Sequence, residues 1–210
     1  MTSPAAGPPS ERLAATLGAH DTTPPAVLDD LTRLDVAIYE AIAETSTPTL
    51  DEPLRRLSDA ANNSTLWVGI AALIAALGGP VGRRTAVTAL TAVAVNSFVV
   101  NVVLKLFSRR ARPDRAAASA SARGQVAMPT SPSFPSGHAA SGFAFVAAVA
   151  RTMPRVAGPV RALAYLVGYS RVHSGVHYPG DVVVGSFVGT AIGETVAFAA
   201  NRRRRPSLAR

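Results

Sequence analysis

Between Leu66 and Ala200 the chain reads as five apolar stretches, at about 66–82, 86–107, 138–153, 157–172 and 181–200, joined by short arginine-bearing turns. The second and fifth carry almost no charge and are long enough to span the ~30 Å hydrocarbon layer of a bilayer. The first is interrupted only near its end, by Gly78-Gly79-Pro80. The third and fourth are shorter and rich in alanine and glycine. That composition fits buried core helices and equally fits close helix packing in lipid. In series, the five predict an all-α fold, a polytopic membrane helical bundle of about five transmembrane helices. No internal repeat is evident.

Upstream, the spacing changes. Leu28, Leu31, Leu34, Ile38 and Ile42 recur at three- and four-residue steps, while Asp29, Asp30, Arg33, Asp35, Glu40 and Glu44 fall elsewhere. This predicts an amphipathic helix over 24–45, with Thr23 as its cap and Pro24 in the first helical position. Two placements are open for it: against the protein's own surface, or in the membrane interface. Its acidic polar face argues against attraction to anionic lipid. A second short helix is expected from Thr49, because Thr49 and Glu52 fit a capping box. The opening residues hold no positively charged segment followed by an apolar run, so no signal peptide is expected. They are too poor in apolar side chains to offset ordering entropy. The resulting organisation is a disordered tail at 1–25, an amphipathic helical N-terminal region at 26–63, a membrane-embedded domain at 64–201 and a basic C-terminal tail at 202–210.

Charge sharpens this division. Residues 1–63 hold ten of the thirteen acidic residues and four arginines, a local net charge of −6. Residues 64–210 hold seventeen basic residues against Asp114, Asp181 and Glu194, a net of +14. An isoelectric point near 11.1 suits a nucleic-acid partner. However, the arginines sit in short clusters between apolar runs without aromatic interleaving, as loops flanking a membrane do. No nucleic-acid partner is expected, and membrane lipids are the expected surroundings. Cysteine is absent, which excludes a disulfide framework and a thiolate metal site.

Threading five spans puts the ends of the second and fourth, and the starts of the third and fifth, on one side. Lys105, Arg112, His138, Arg171, His177 and Asp181 then meet at one membrane face. The opposite face receives Arg83, Arg84, Arg151, Arg155, Arg161 and the Arg202–Arg205 tail. By the positive-inside rule that second face is cytoplasmic. A multi-pass protein of the cell membrane is expected, with its site on the extracytoplasmic side and its C-terminus in the cytoplasm.

The residues gathered on that face form three ordered patterns. The first is K-x6-R-P, from Lys105 to Arg112-Pro113; the second is Pro135-Ser136-Gly137-His138; the third is S-R-x5-H-x3-D, from Ser170-Arg171 through His177 to Asp181. Lys105 is the single lysine among twenty arginines, which suggests that a compact ammonium is needed there. Arginine offers a planar fork to two phosphate oxygens at once. Ser136 is placed to cap the following helix, Gly137 permits close backbone approach, and the free N–H groups of a helix start attract anions. His138, in the first turn, can serve as a general acid. His177 can serve as a nucleophile whose other ring N–H is accepted by Asp181. The i, i+4 pair His173 and His177, with Asp181, also invites a metal reading. Gly175, Pro179 and Gly180 interrupt the single helix such a site needs.

With all three patterns in place, the chain resembles the type 2 phosphatidic acid phosphatase superfamily, which also includes the vanadium haloperoxidases. The match covers residues 105–181 directly, every position of the tripartite signature is present, and segment 66–107 further looks like actinobacterial members. The resemblance implies that Lys105, Arg112 and Arg171 bind a phosphoryl group with Ser136 and Gly137. It implies that His177, oriented by Asp181, forms a phosphohistidine and that His138 protonates the leaving group. No metal or other cofactor is implied, since the cations neutralise the transition state. Membrane members commonly have six spans, and here the amphipathic N-terminal helix stands in for the sixth.

The expected function is that of an integral-membrane lipid phosphate phosphatase. Candidate substrates are a polyprenyl diphosphate, a polyprenyl-linked sugar phosphate, phosphatidylglycerophosphate and phosphatidate. Polyprenyl carriers come first because the site is inferred to face outward. A non-catalytic scaffold or transporter that binds phosphate lipids, and a vanadate-dependent haloperoxidase, are the alternatives. Left open are the lipid, the oligomeric state, the role of residues 1–63 and whether 116–134 forms a lid.

Overall fold

The computed structural model describes residues 24–45, 47–115 and 126–202, and among these no strand occurs. The expectations for residues 1–23, for the cap at Thr23, for 116–125 and for 203–210 lie outside the described residues. The described helices are α1 (Pro24–Glu44), α2 (Pro48–Ala60), α3 (Thr65–Leu77), α4 (Gly79–Phe98), α5 (Gly137–Ala150), α6 (Pro154–His173) and α7 (Pro179–Arg202). α4 runs on through a π-helical segment, Val99–Leu104, and a last turn, Lys105–Phe107.

α5 is the central helix. Every residue from Ala139 to Val149 is buried, because α4, α6 and α7 pack around it and Trp67 of α3 covers Phe145 and Gly142. Its tightest neighbour is α7, where Gly185, Gly189, Gly193 and Ala197 stand four residues apart and are all buried. A Cβ added at Gly185, Gly189 or Gly193 would come within 2.6, 2.1 or 2.4 Å of the carbonyl oxygens of Ser136, Ala140 and Ala144. Backbone therefore packs on backbone, the arrangement that small residues at four-residue spacing allow. On the other side, Trp67 of α3 is fully buried. It lies 5.5 Å from the Phe145 ring and over Gly142, where a Cβ would approach the indole to 2.7 Å.

The packing is inside-out relative to a water-soluble bundle. Small residues and valines fill the interior, while Leu77, Val87, Phe98, Leu106, Phe107 and Phe187 are exposed. The chain thus has a membrane-type helical fold. Gly79–Phe107 (29 residues) and Pro179–Arg202 (24 residues) are long and apolar enough to cross a bilayer, and the bent pair Pro48–Ala60 and Asn62–Leu77 makes a third if taken as one span. Gly137–Ala150 is a shorter apolar helix.

Three local expectations are corrected. The first apolar stretch does not run to residue 82, because Gly79 adopts a φ of +58°, a left-handed conformation natural to glycine. Gly79 and Pro80 therefore open α4 and carry Arg83 and Arg84 into it. α2 begins at Pro48 after Thr47, so Thr49 lies inside the helix and forms no capping box; proline's fixed φ suits the first helical position. Finally, α1 turns Asp35, Tyr39 and Ala43 toward the protein, with Asp35 only 8% exposed and Leu28 64% exposed. The acid belongs to the packed face because it has partners there. The leucines instead line an apolar cavity of about 590 Å³, shared with Phe134, Val183 and Val184.

Candidate active site

A cavity of about 450 Å³ opens where the end of α4, the start of α5, the end of α6 and the turn before α7 converge. Lys105, Arg112, Gly137, His138, Arg171 and His177 line it, and among the described residues no carboxylate does. Asp181 and Ser136 stand behind this lining. Both are fully buried, and the Ser136 N–H donates to the Asp181 carbonyl at 2.9 Å. The Ser136 hydroxyl makes no cap bond and has no hydrogen-bond partner among the described residues. The four helix ends assigned to one face thus share one cavity.

Each of the three cations makes at least one polar contact through its charged end. Lys105 Nζ donates to Ser131 Oγ at 3.2 Å, and Arg112 Nη2 donates to the same hydroxyl at 3.2 Å. Arg112 also donates from Nε to the Ser131 carbonyl at 2.9 Å and from Nη1 to the Val176 carbonyl at 2.6 Å. Its second contact pins the turn that carries His177. Arg171 Nη1 donates to Ser58 Oγ of α2 at 2.5 Å, while its Nε has no partner among the described residues. Ser97, Asn101 and Lys105, four residues apart along α4, all line the cavity. The π-helical segment lies between the first and last of them, and such segments recur at functional sites.

The turn 174–178 folds back on α6. The Val176 and His177 N–H groups both donate to the Arg171 carbonyl, at 3.1 and 3.3 Å. Gly175 has a φ of +65°, and a Cβ there would meet Arg115 and Tyr39 at 3.0 Å, so this corner requires glycine. His177 Nδ1 lies 3.4 Å from Asp181 Oδ2, a close polar contact longer than a normal hydrogen bond. The His177 imidazole is lowered to about 4, chiefly by burial; the contact with Asp181 opposes the shift, and the charges of Arg112 and Arg171 add to it. The ring is therefore neutral, with a lone pair available, across the physiological range.

The arrangement suits a tetrahedral oxyanion, held by three cations beside a neutral imidazole. His138 meets the cavity from the first turn of α5, and its Nε2 lies 2.9 Å from Asn62 Oδ1. His173 turns away from this group and pairs with Asp51 Oδ1 at 2.9 Å. Among the described residues no three His, Cys, Asp or Glu side chains form a metal-holding group.

Several participants carry no motif. Asn62, Ser58 and Asp51 come from the N-terminal region, and single polar residues so far away in sequence leave no spacing to read. Arg110 belongs to none of the three patterns and stands among Arg109, Arg112 and Arg115 in one crowded segment. It donates to Asp181 Oδ1 at 2.8 Å and to Asp35 Oδ2 at 2.5 Å. Burial opposes its charge, but the bonds to Asp35 and Asp181 outweigh that and hold its pKa above the usual arginine value.

Decaprenylphosphoryl-5-phosphoribose phosphatase of Mycobacterium tuberculosis is 34% identical over 174 residues, covering 81% of this chain and 90% of that protein. Its counterpart in Mycolicibacterium smegmatis is 36% identical over 157 residues, covering 71% and 78%. The crystal structure of a transmembrane PAP2 type phosphatidylglycerolphosphate phosphatase from Bacillus subtilis matches with a TM-score of 0.64 at 24% identity, covering 92% of each chain. At that identity the likeness shows the fold. The profile of the PAP2 superfamily matches residues 85–205, and the chain belongs to that superfamily.

Proposed function

We propose that this chain is an integral-membrane phosphatase that removes a terminal phosphate from a polyprenyl-linked sugar phosphate through a phosphohistidine on His177. The observation that carries this reading is the acid-free cavity that joins Lys105, Arg112 and Arg171 to His138 and His177. Lys105, Arg112, Arg171 and the backbone at Gly137 hold the non-bridging oxygens and offset the charge of the transition state. The neutral His177 ring attacks phosphorus as the bond to the leaving oxygen breaks, and Asp181 receives its Nδ1–H and steadies the positive ring. His138 gives its proton to the leaving oxygen, which departs as an alcohol. Water then loses a proton to His138 and attacks phosphorus, the P–N bond breaks, and inorganic phosphate leaves. Ser136 supports the start of α5 behind Gly137.

The substrate class is argued from two sides. The relatives of M. tuberculosis and M. smegmatis are named for a phosphate carried on a lipid-linked ribose. The remaining cavity lining includes Asn63, Ser64, Ser97, Asn101, Ser131 and Ser141, neutral donors and acceptors suited to sugar hydroxyls. For the membrane arrangement we propose five spans, with the shorter α5 and α6 completing the set and the domain limits at 26–63 and 64–201. Arg83, Arg84, Arg151, Arg155 and Arg161 support assigning their end to the cytoplasm and the cavity to the outer side, by the positive-inside rule.

The test is phosphate release in detergent from decaprenylphosphoryl-5-phosphoribose, a polyprenyl diphosphate and phosphatidate, with EDTA present, beside His177→Ala. The sugar phosphate is expected to be cleaved fastest, and the variant to lose on the order of 10⁵-fold in kcat. Undiminished release by His177→Ala refutes the phosphohistidine, and preference for phosphatidate refutes the sugar assignment.

A further inference from the structure

Asp181 is completely buried, and each of its oxygens has a fixed partner. Oδ1 accepts from Arg110 Nη1 at 2.8 Å; Oδ2 accepts the Tyr178 N–H at 2.9 Å and faces His177 Nδ1. Arg110 is fixed in turn. Its Nη2 reaches Asp35 Oδ2 at 2.5 Å, and its guanidinium lies 4.3 Å from the centre of the Tyr178 ring. Asp35 completes the chain from α1, where Oδ1 accepts the Gly180 N–H at 2.6 Å. The fit is close enough that a Cβ on Gly180 would approach Asp35 Oδ2 to 2.8 Å.

We propose that Asp35 and Arg110 are positioning residues that hold the Asp181 carboxylate against His177, so that α1 is part of the nucleophile's support. The inference rests on the reading of His177 as nucleophile. Arg110 alone would both orient Asp181 and neutralise it, weakening the carboxylate's hold on a ring that becomes positive during attack. Asp35 takes up that charge, leaving the Asp35–Arg110–Asp181 trio with a net charge of −1. The other charged or titratable groups facing His177 are Arg112 and Arg171, with Lys105 and His138 in the same cavity. Apart from His138 these are cations that disfavour a positive ring, so the negative trio behind Nδ1 is what offsets them. Residue 35 lies outside the segment matched by the superfamily profile, so the device depends on this chain's N-terminal helix.

The experiment measures kcat, KM and inhibition by inorganic vanadate for the full-length protein, Asp35→Asn, Arg110→Gln and the double variant, with the lipid-linked sugar phosphate. Asp35→Asn is expected to lose about ten- to a hundredfold in kcat, since small misplacements of reacting groups cost on that order. KM and the vanadate constant should stay within about twofold, because the phosphate-holding cations do not touch Asp35. In the Arg110→Gln background the further loss from Asp35→Asn should shrink to under about twofold, the signature of acting through one partner. Wild-type kcat in Asp35→Asn, or the same loss with and without Arg110, overturns the proposal. If Asp35→Asn does not fold, Asp35→Glu and Arg110→Gln replace it. Lowered kcat with unchanged vanadate inhibition in both supports the proposal, and full kcat in both overturns it. Absence of release by the wild-type protein overturns the enzymatic reading and this inference together, whereas release by wild type with undiminished Asp35→Asn overturns this inference alone.

Discussion

The helical bundle from α4 to α7 and the N-terminal arm of α1 and α2 are built on opposite terms. The bundle is held by shape. Its centre is a run of small residues, and α7 meets α5 through glycines that leave no room for a side chain. The arm is acidic and reaches the bundle through isolated polar contacts: Asp35 with Arg110, Asp51 with His173, Ser58 with Arg171, and Asn62 of the following turn with His138. The residues that line the cavity from the bundle carry the cations and the proposed nucleophile, whereas the arm bonds Arg171 and His138 of that lining and Arg110 and His173 outside it. On the proposed reading, one region supplies the reacting groups and the other fixes where they point.

If that contrast is right, the bundle should fail by packing. Gly189→Val places a side chain where a Cβ already comes within 2.1 Å of the Ala140 carbonyl, and neither backbone can yield cheaply. A loss of at least about 3 kcal/mol is expected from such overpacking, read as a collapse in yield and in the melting temperature of detergent-solubilised protein. Gly69→Ala is the control. Nothing lies within 4 Å of a Cβ at that position of α3, so it should be neutral or stabilise by up to about 1 kcal/mol through helix propensity. Equal behaviour of the two variants would remove the packing argument.

The same contrast explains what the sequence disclosed. Lys105, Arg112, His138, Arg171 and His177 stand at fixed separations next to apolar runs, and the alternation of spans alone brought them to one face. Composition also announced a membrane bundle, because exposed leucines and phenylalanines need lipid around them. The arm resisted reading for a physical reason. Its leucine periodicity predicted an amphipathic helix with Asp35 off the apolar stripe, but burial of Asp35 is decided by Arg110 and the Gly180 N–H, partners 75 and 145 residues away. No local pattern encodes such a pairing. The break at Gly78-Gly79 was visible as composition, yet where the new helix begins depends on the left-handed φ of Gly79.

A variant in the arm should alter chemistry more than folding. Asn62→Ala removes the partner of His138 Nε2 while leaving the cavity's cations in place. Loss of a well-placed general acid costs about 10²–10⁴-fold, and loosening one should cost less, about ten- to thirtyfold in kcat. The decrease should be larger for alkyl than for aryl phosphates, because an alkoxide needs the proton more. A uniform decrease across leaving groups would mean that Asn62 merely shapes the cavity.

The smallest effect should come from the arm contact that ends on a residue outside the cavity. Asp51 Oδ1 bonds His173 Nε2 at 2.9 Å, but the carboxylate is 24% exposed while His173 is 3% exposed, and His173 is not part of the cavity lining. Asp51→Asn keeps an amide oxygen in place to accept the same hydrogen bond, so the buried imidazole is not left without a partner. Such an exchange should cost no more than about 1 kcal/mol, the net contribution of one hydrogen bond, with kcat and KM unchanged. Its value lies in contrast with Asp35, also an acid of the arm bonded to the bundle. The difference is the destination of the contact, since Arg110 passes the effect to Asp181 and His173 passes it to nothing that touches substrate. A marked fall in kcat for Asp51→Asn would show that the arm acts through general docking of α1 and α2, and the distinction between the contacts would then disappear.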